Sequence, residues 1–362
     1  MLTKILKTNY LYIILTFIVI YSIGFFSVIS VKTPGQQIKE ISESVSEQSE
    51  ESTDLKEVIS DAEYMKKIEE KLVGNFKFRV ISKLMFVVLI LILLLGLVFA
   101  FFGLIFRFLK IQVFNIKRIK LSYYLKFDFL DLAKFIIVYS CFYFLLKHIV
   151  FAELILIDIL QVDPEKFMGI NIYLSMMIMN ILPCMFLILY MKRKYNQGVH
   201  FMGVHKKDVM KNLGFGIISY ITAYPLLFIA LVITFIVVQY VGAYIPPHPI
   251  VPMMIEDESK VNILSLIIFS CIVGPVTEEI FFRGMIYPFL RKRSGIVLAA
   301  ILSSLCFALM HFNIIIAPII FITGLLFVYL YEKSGSLAPG IFIHILHNTV
   351  MVSWVLVIKA IV

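Results

Sequence analysis

An all-α, polytopic membrane protein with about nine transmembrane helices is the fold this sequence predicts, and three observations carry the prediction. The 362 residues are 60% hydrophobic and only 16% charged, whereas a soluble domain is nearer half apolar and a quarter charged. The apolar residues fall in long runs without barrel-type alternation, and a backbone in lipid must satisfy its own hydrogen bonds, as a helix does. The basic residues behind the net charge of +9 sit in short segments beside those runs. That is the positive-inside pattern, so the lipid bilayer is the expected partner and nucleic acid is not.

The first run, Tyr10 to Val31, follows Lys4 and Lys7. It is long for a secretory signal and lacks a small-residue cleavage site, so residues 1–31 read as an uncleaved first transmembrane helix. Residues 32–80 form an acidic extracytoplasmic loop, whose stretch Gln36 to Glu63 is too polar to bury. Residues 81–212 form a three-helix membrane region with basic cytoplasmic loops, its spans being Ile81–Phe106, Phe129–Phe151 and Ile170–Met191. Lys134 and Lys147 read as interfacial anchors, and Glu153 to Lys166 as a loop on the outer side.

Residues 213–362 hold the remaining spans. Leu213–Val241 contains Pro225, expected to kink it, and the proline-rich loop Ile245–Pro252 carries a solvated His248. The sixth span starts at Val261 and runs to the basic end Arg291-Lys292-Arg293. Ser294-Gly295 makes a tight turn into a seventh span ending near Phe312. Ile314–Tyr331 and Leu337–Val362 complete the set, with Pro339 near a helix start, where proline is tolerated. Cys141, Cys184, Cys271 and Cys306 all lie in apolar runs at unrelated spacings and read as packed thiols.

Chemistry concentrates in the sixth span, at Thr277-Glu278-Glu279-Ile280-Phe281-Phe282-Arg283-Gly284. Each charge at a helix centre in lipid costs about 2.5–3.5 kcal/mol even on lenient scales, so intramembrane charges mark function. Glu279 and Arg283 are four apart and share a helix face, so they can pair. Glu278 is turned about 100° from Glu279 and looks to another helix. A hairpin at Ser294-Gly295 sets His311 at about the depth of Glu278, since both arms rise 1.5 Å per residue. On the last span His344 and Asn348 share a face, with His347 flanking them.

Interhelical hydrogen bonding alone could account for any one of these residues; for the set on three spans, chemistry is the better reading. Peptide hydrolysis needs a base for water and donors for the developing oxyanion, and a carboxylate, imidazoles and an amide are such groups. Ser303, Ser304 and Cys306 do not stand as nucleophiles beside His311. No cofactor is implied; a zinc ion held by Glu278, His311 and His344 is the alternative, without an HExxH pattern and with an unfavourable arginine nearby.

The ordered motifs Glu278-Glu279-x-x-x-Arg283, Phe307-x-x-x-His311 and His344-x-x-x-Asn348 resemble the CPBP intramembrane proteases, the type II CAAX prenyl endopeptidase and bacteriocin-processing Abi group. The resemblance covers roughly Val261 to Val352 and marks residues 213–362 as a CPBP-like intramembrane protease core. It implies a glutamic-type endopeptidase acting on a membrane-associated or lipid-modified substrate, with Glu278 and His311 activating water and His344 and Asn348 stabilising the oxyanion. Glu279 and Arg283 would support the site. The alternative from another class is a non-catalytic membrane immunity or scaffold protein that retains the motif. Nothing in the sequence specifies the substrate or the oligomeric state.

Overall fold

The computed structural model describes residues 70–108, 128–160, 164–196, 209–241, 250–311, 313 and 315–361, with positions 16, 18 and 20. The expected first span apart from those three positions, most of the acidic loop, the basic segments 109–127 and 197–208 and the loop carrying His248 lie outside the described residues. The long apolar runs fold as helices, and no strand occurs among the described residues. In chain order these are α1 (Phe76–Phe108), α2 (Phe129–Leu160), α3 (Pro164–Tyr195), α4 (Val209–Val241) and α5 (Ile250–Glu256), then α6 (Lys260–Ile268) and α7 (Gly274–Phe281), and α8 (Tyr287–Leu309), α9 (Ala317–Ser334) and α10 (Ala338–Lys359).

Five described segments are long and apolar enough to cross a bilayer: Phe76–Ile105, Val209–Val241, Lys260–Leu309, Ala317–Ser334 and Ala338–Lys359. The third of these holds two expected spans. Gly295, at φ 79° and ψ 178°, interrupts the helix there, a backbone state that glycine adopts without steric cost. The chain is thus a multi-pass helical membrane protein.

Three expectations need correction. Glu153 to Leu160, expected in an outer loop, continues α2, because their run of Leu and Ile supports a helix through single acidic residues. The seventh span ends at Leu309, so His311 lies in a turn after α8 and not on it. Cys184 and Cys271 are buried, but Cys306 is exposed, on a face of α8 with Ile301, Leu305 and Leu309, so it is not a packed thiol.

The chain divides into two compact units, one of 1–82, 129–167 and 357–362, the other of 83–128 and 168–356. In the first, α2 buries Asp131, Phe135 and Val138 along one face. The second holds every residue of the candidate site. Its main core joins Phe215 of α4, Phe282, Phe307 of α8, Leu326, Phe327 and Leu330 of α9, and Ile343 of α10. A second cluster sets Val352 and Val355 of α10 against Met254, Leu266 and Cys271.

Small residues let these helices close, as is usual where lipid offers no hydrophobic contrast. A Cβ on Gly324 of α9 would stand 2.9 Å from the Ser304 Cβ and 3.2 Å from its Cα. Gly324→Ala must therefore push α8 and α9 apart. We expect a loss of about 1–3 kcal/mol, read as a lowered Tm of the detergent-solubilised protein; an unchanged Tm would contradict this packing.

Candidate active site

Glu278 and Glu279 lie on α7 between two π-turns, Phe269–Val273 and Phe282–Ile286. The Gly274 amide bonds the Phe269 carbonyl and the Tyr287 amide the Phe282 carbonyl, each five residues back. Each π-turn inserts one residue and shifts the phase of the helix beyond it, and such turns are frequent at functional sites. The sequence carries no signal for them.

Arg283, fully buried, donates from Nη1 to Glu279 Oε1 at 2.8 Å and from Nη2 to the Gly324 carbonyl at 3.1 Å. Its guanidinium also lies over the rings of Phe307, at 4.4 Å, and Phe327, at 5.0 Å. A charge without water thus has a carboxylate, a carbonyl and two aromatic faces around it. Glu279 is equally buried, and its Oε2 packs onto the first turn of α10. A Cβ on Gly340 would stand only 3.1 Å from that oxygen, so the glycine makes room for the carboxylate.

His344 of α10 stands between the two acids. Its Nε2 is 3.7 Å from Glu278 Oε2 and its Nδ1 3.4 Å from Glu279 Oε1. Glu278 Oε2 and His344 Nδ1 are buried atoms without a hydrogen-bond partner, although the Glu278 side chain as a whole is 33% exposed. The imidazole stacks on Phe327 at 4.9 Å between centroids and meets the edge of Phe307 at 6.0 Å. The hairpin argument pointed Glu278 towards His311; the imidazole 3.7 Å from its Oε2 is that of His344, from the last helix. The two acids also share this one imidazole instead of facing different neighbours, because α10 crosses in front of both.

His311 is held from its own helix end. Its Nδ1 lies 2.8 Å from the Phe307 carbonyl, which can only accept, so Nδ1 donates there and Nε2 is directed away from that carbonyl. Its ring meets Phe307 edge-on at 4.9 Å. Phe307 therefore touches His311, His344 and the Arg283 guanidinium, and ties three motifs into one cluster.

Asn348, one turn beyond His344, donates from Nδ2 to the Ser270 carbonyl at 2.9 Å, inside the first π-turn, where the backbone ladder is misaligned. One amide hydrogen is thereby engaged and the other is left. With Gly340 at Glu279, His344 between the acids and Asn348 at Ser270, α10 runs antiparallel to the α6–α7 helix. His347 is directed instead to α4, where Tyr220 lies within hydrogen-bonding distance. Gly340, Phe327, Ser270 and Tyr220 escaped the reading of the sequence, being ordinary residues in apolar runs. Among the described residues no group of three or more His, Cys, Asp or Glu is placed to hold a metal ion.

Residues 260–350 match the family model described as type II CAAX prenyl endopeptidase, Rce1-like. A Bacillus subtilis (strain 168) protein named "Putative membrane peptidase YdiL" is 33% identical over 87 residues, covering 24% of this chain and 36% of that protein. The chain therefore matches little more than a third of this relative's length. No solved structure matches the chain.

Proposed function

We propose that the chain, whose residues 260–350 match the type II CAAX prenyl endopeptidase family model, is a CPBP-type intramembrane endopeptidase cleaving a membrane-associated or lipid-modified substrate. The observation that carries this reading is the Glu278 Oε2 atom: buried, without a hydrogen-bond partner, and 3.7 Å from an imidazole nitrogen. A buried carboxylate oxygen left in that state costs free energy unless something uses it. A water at the exposed edge of this carboxyl group can be deprotonated.

In this reaction Glu278 takes the proton of a water whose oxygen attacks the scissile carbonyl carbon, and His311, with Nε2 as acceptor, orients that water. The carbonyl oxygen becomes an oxyanion and receives hydrogen bonds from His344 and from the second amide hydrogen of Asn348. The ring of His344 has an acid oxygen near each of its nitrogens. The carbon–nitrogen bond then breaks, and the proton held by Glu278 passes to the leaving amine. Glu279 and Arg283 supply the fixed field and hold α7 in register.

The test is a comparison of membrane peptidomes from cells making the wild-type and the Glu278→Gln protein. A fragment present only with the wild type supports the reading, and identical peptidomes would sink it. The water-activating mechanism also needs no metal. Chelators are expected to leave cleavage within about twofold of the untreated rate, whereas inhibition reversed by added zinc would favour the zinc alternative.

A further inference from the structure

We infer that Tyr220 is a positioning residue of this site, acting through His347 to set the rotation of α10; the inference rests on the peptidase reading above. Tyr220 lies on α4, outside the residues matched to the family. Its hydroxyl is 2.8 Å from His347 Nδ1, and the two rings meet edge-on at 6.1 Å.

Where they approach, over the turn from Gly216 to Tyr220, α4 and α10 point in the same direction. One turn before Tyr220, a Cβ on Gly216 would stand 3.1 Å from Ile343 Cγ1 and 3.3 Å from the Pro339 carbonyl. The glycine brings the helices together, and the tyrosine–histidine bond one turn later locks their relative rotation. A smooth apolar contact would not, since aliphatic side chains impose no direction.

α10 is consequently held from two sides. His344 and Gly340 face the carboxylates of α7, and His347, three residues after His344 and about 60° around the helix, faces Tyr220. The reacting geometry depends on this angle. A side chain reaching about 6 Å from the helix axis moves about 2 Å for a 20° rotation, and a misplacement of about 1 Å in an active site can cost 100-fold. Tyr220 itself touches neither acid, so its effect should fall on turnover and not on substrate binding.

The experiment uses the full chain in detergent and a quenched fluorescent peptide spanning the cleavage site recovered in the peptidome comparison. Tyr220→Phe keeps the ring and removes only the hydroxyl. We expect kcat to fall about 10- to 100-fold with KM within about twofold. His347→Leu should behave alike. His347→Asn, whose Oδ1 stands close to where Nδ1 stood and can accept from the hydroxyl, should restore kcat to within about threefold of wild type.

Wild-type kcat in Tyr220→Phe overturns the inference, as does a loss confined to KM, which would make Tyr220 a substrate contact. Should Tyr220→Phe not fold, the His347 pair decides: equal losses in the Leu and Asn variants overturn it, and rescue by Asn supports it. Glu278→Gln measured alongside separates the two levels. If that variant is dead and Tyr220→Phe keeps the wild-type kcat, only the positioning role fails; if Glu278→Gln cleaves at the wild-type rate, the peptidase reading falls and the positioning role with it.

Discussion

Purified Glu278→Gln protein is expected to lose about 10²–10⁴-fold in turnover, the usual contribution of a general base, while its expression and membrane insertion stay near wild type. The substitution keeps shape and removes one function. Glu278 Oε2 has no hydrogen-bond partner to lose, and the side chain is partly exposed. The same variant also removes the negative charge 3.7 Å from His344 Nε2, so some of the loss comes through that imidazole. His311→Ala should fall by a comparable factor. Wild-type turnover in Glu278→Gln would refute the mechanism, and full biological activity of that protein in cells would favour the non-catalytic immunity or scaffold reading.

Arg283→Met is expected to be the most destabilising single change in the second compact unit, at about 3–5 kcal/mol. Removing the guanidinium deletes the Nη1 bond to Glu279 and the Nη2 bond to the Gly324 carbonyl. It also leaves a carboxylate only 1% exposed facing an imidazole at 3.4 Å as its remaining partner. The cost is that of stranding a buried charge and exceeds the net contribution of the pair. Hence Glu279→Gln combined with Arg283→Met should recover a large part of the lost stability. Thermal unfolding of the four proteins of this cycle measures it, and additive losses would show that the pair is not coupled.

Much of this site was legible because lipid makes polar residues conspicuous. Glu278, Glu279 and Arg283 stand out in an apolar run, and the four-residue spacing of Glu279 and Arg283 sets their pairing whatever surrounds them. The turn at Ser294-Gly295 was readable for a similar reason, since positive φ falls naturally to glycine.

The partner of Glu278 was not readable. Equal depth along a hairpin constrains height and says nothing about which helix crosses in front, and that helix is α10, bringing His344. The end of α8 before His311 escaped notice because its last turn and the residues beyond it are equally apolar.

Local sequence by itself determined the helices and which polar groups stand within their apolar runs, because hydropathy and spacing act within one run of chain. Only the tertiary structure decided which groups meet. The two π-turns rotate α7 against its neighbours, Gly324 and Gly340 admit close approach, and Phe307 draws His311, His344 and Arg283 around one ring. Such juxtapositions arise from packing between segments distant in sequence, where no local periodicity records them.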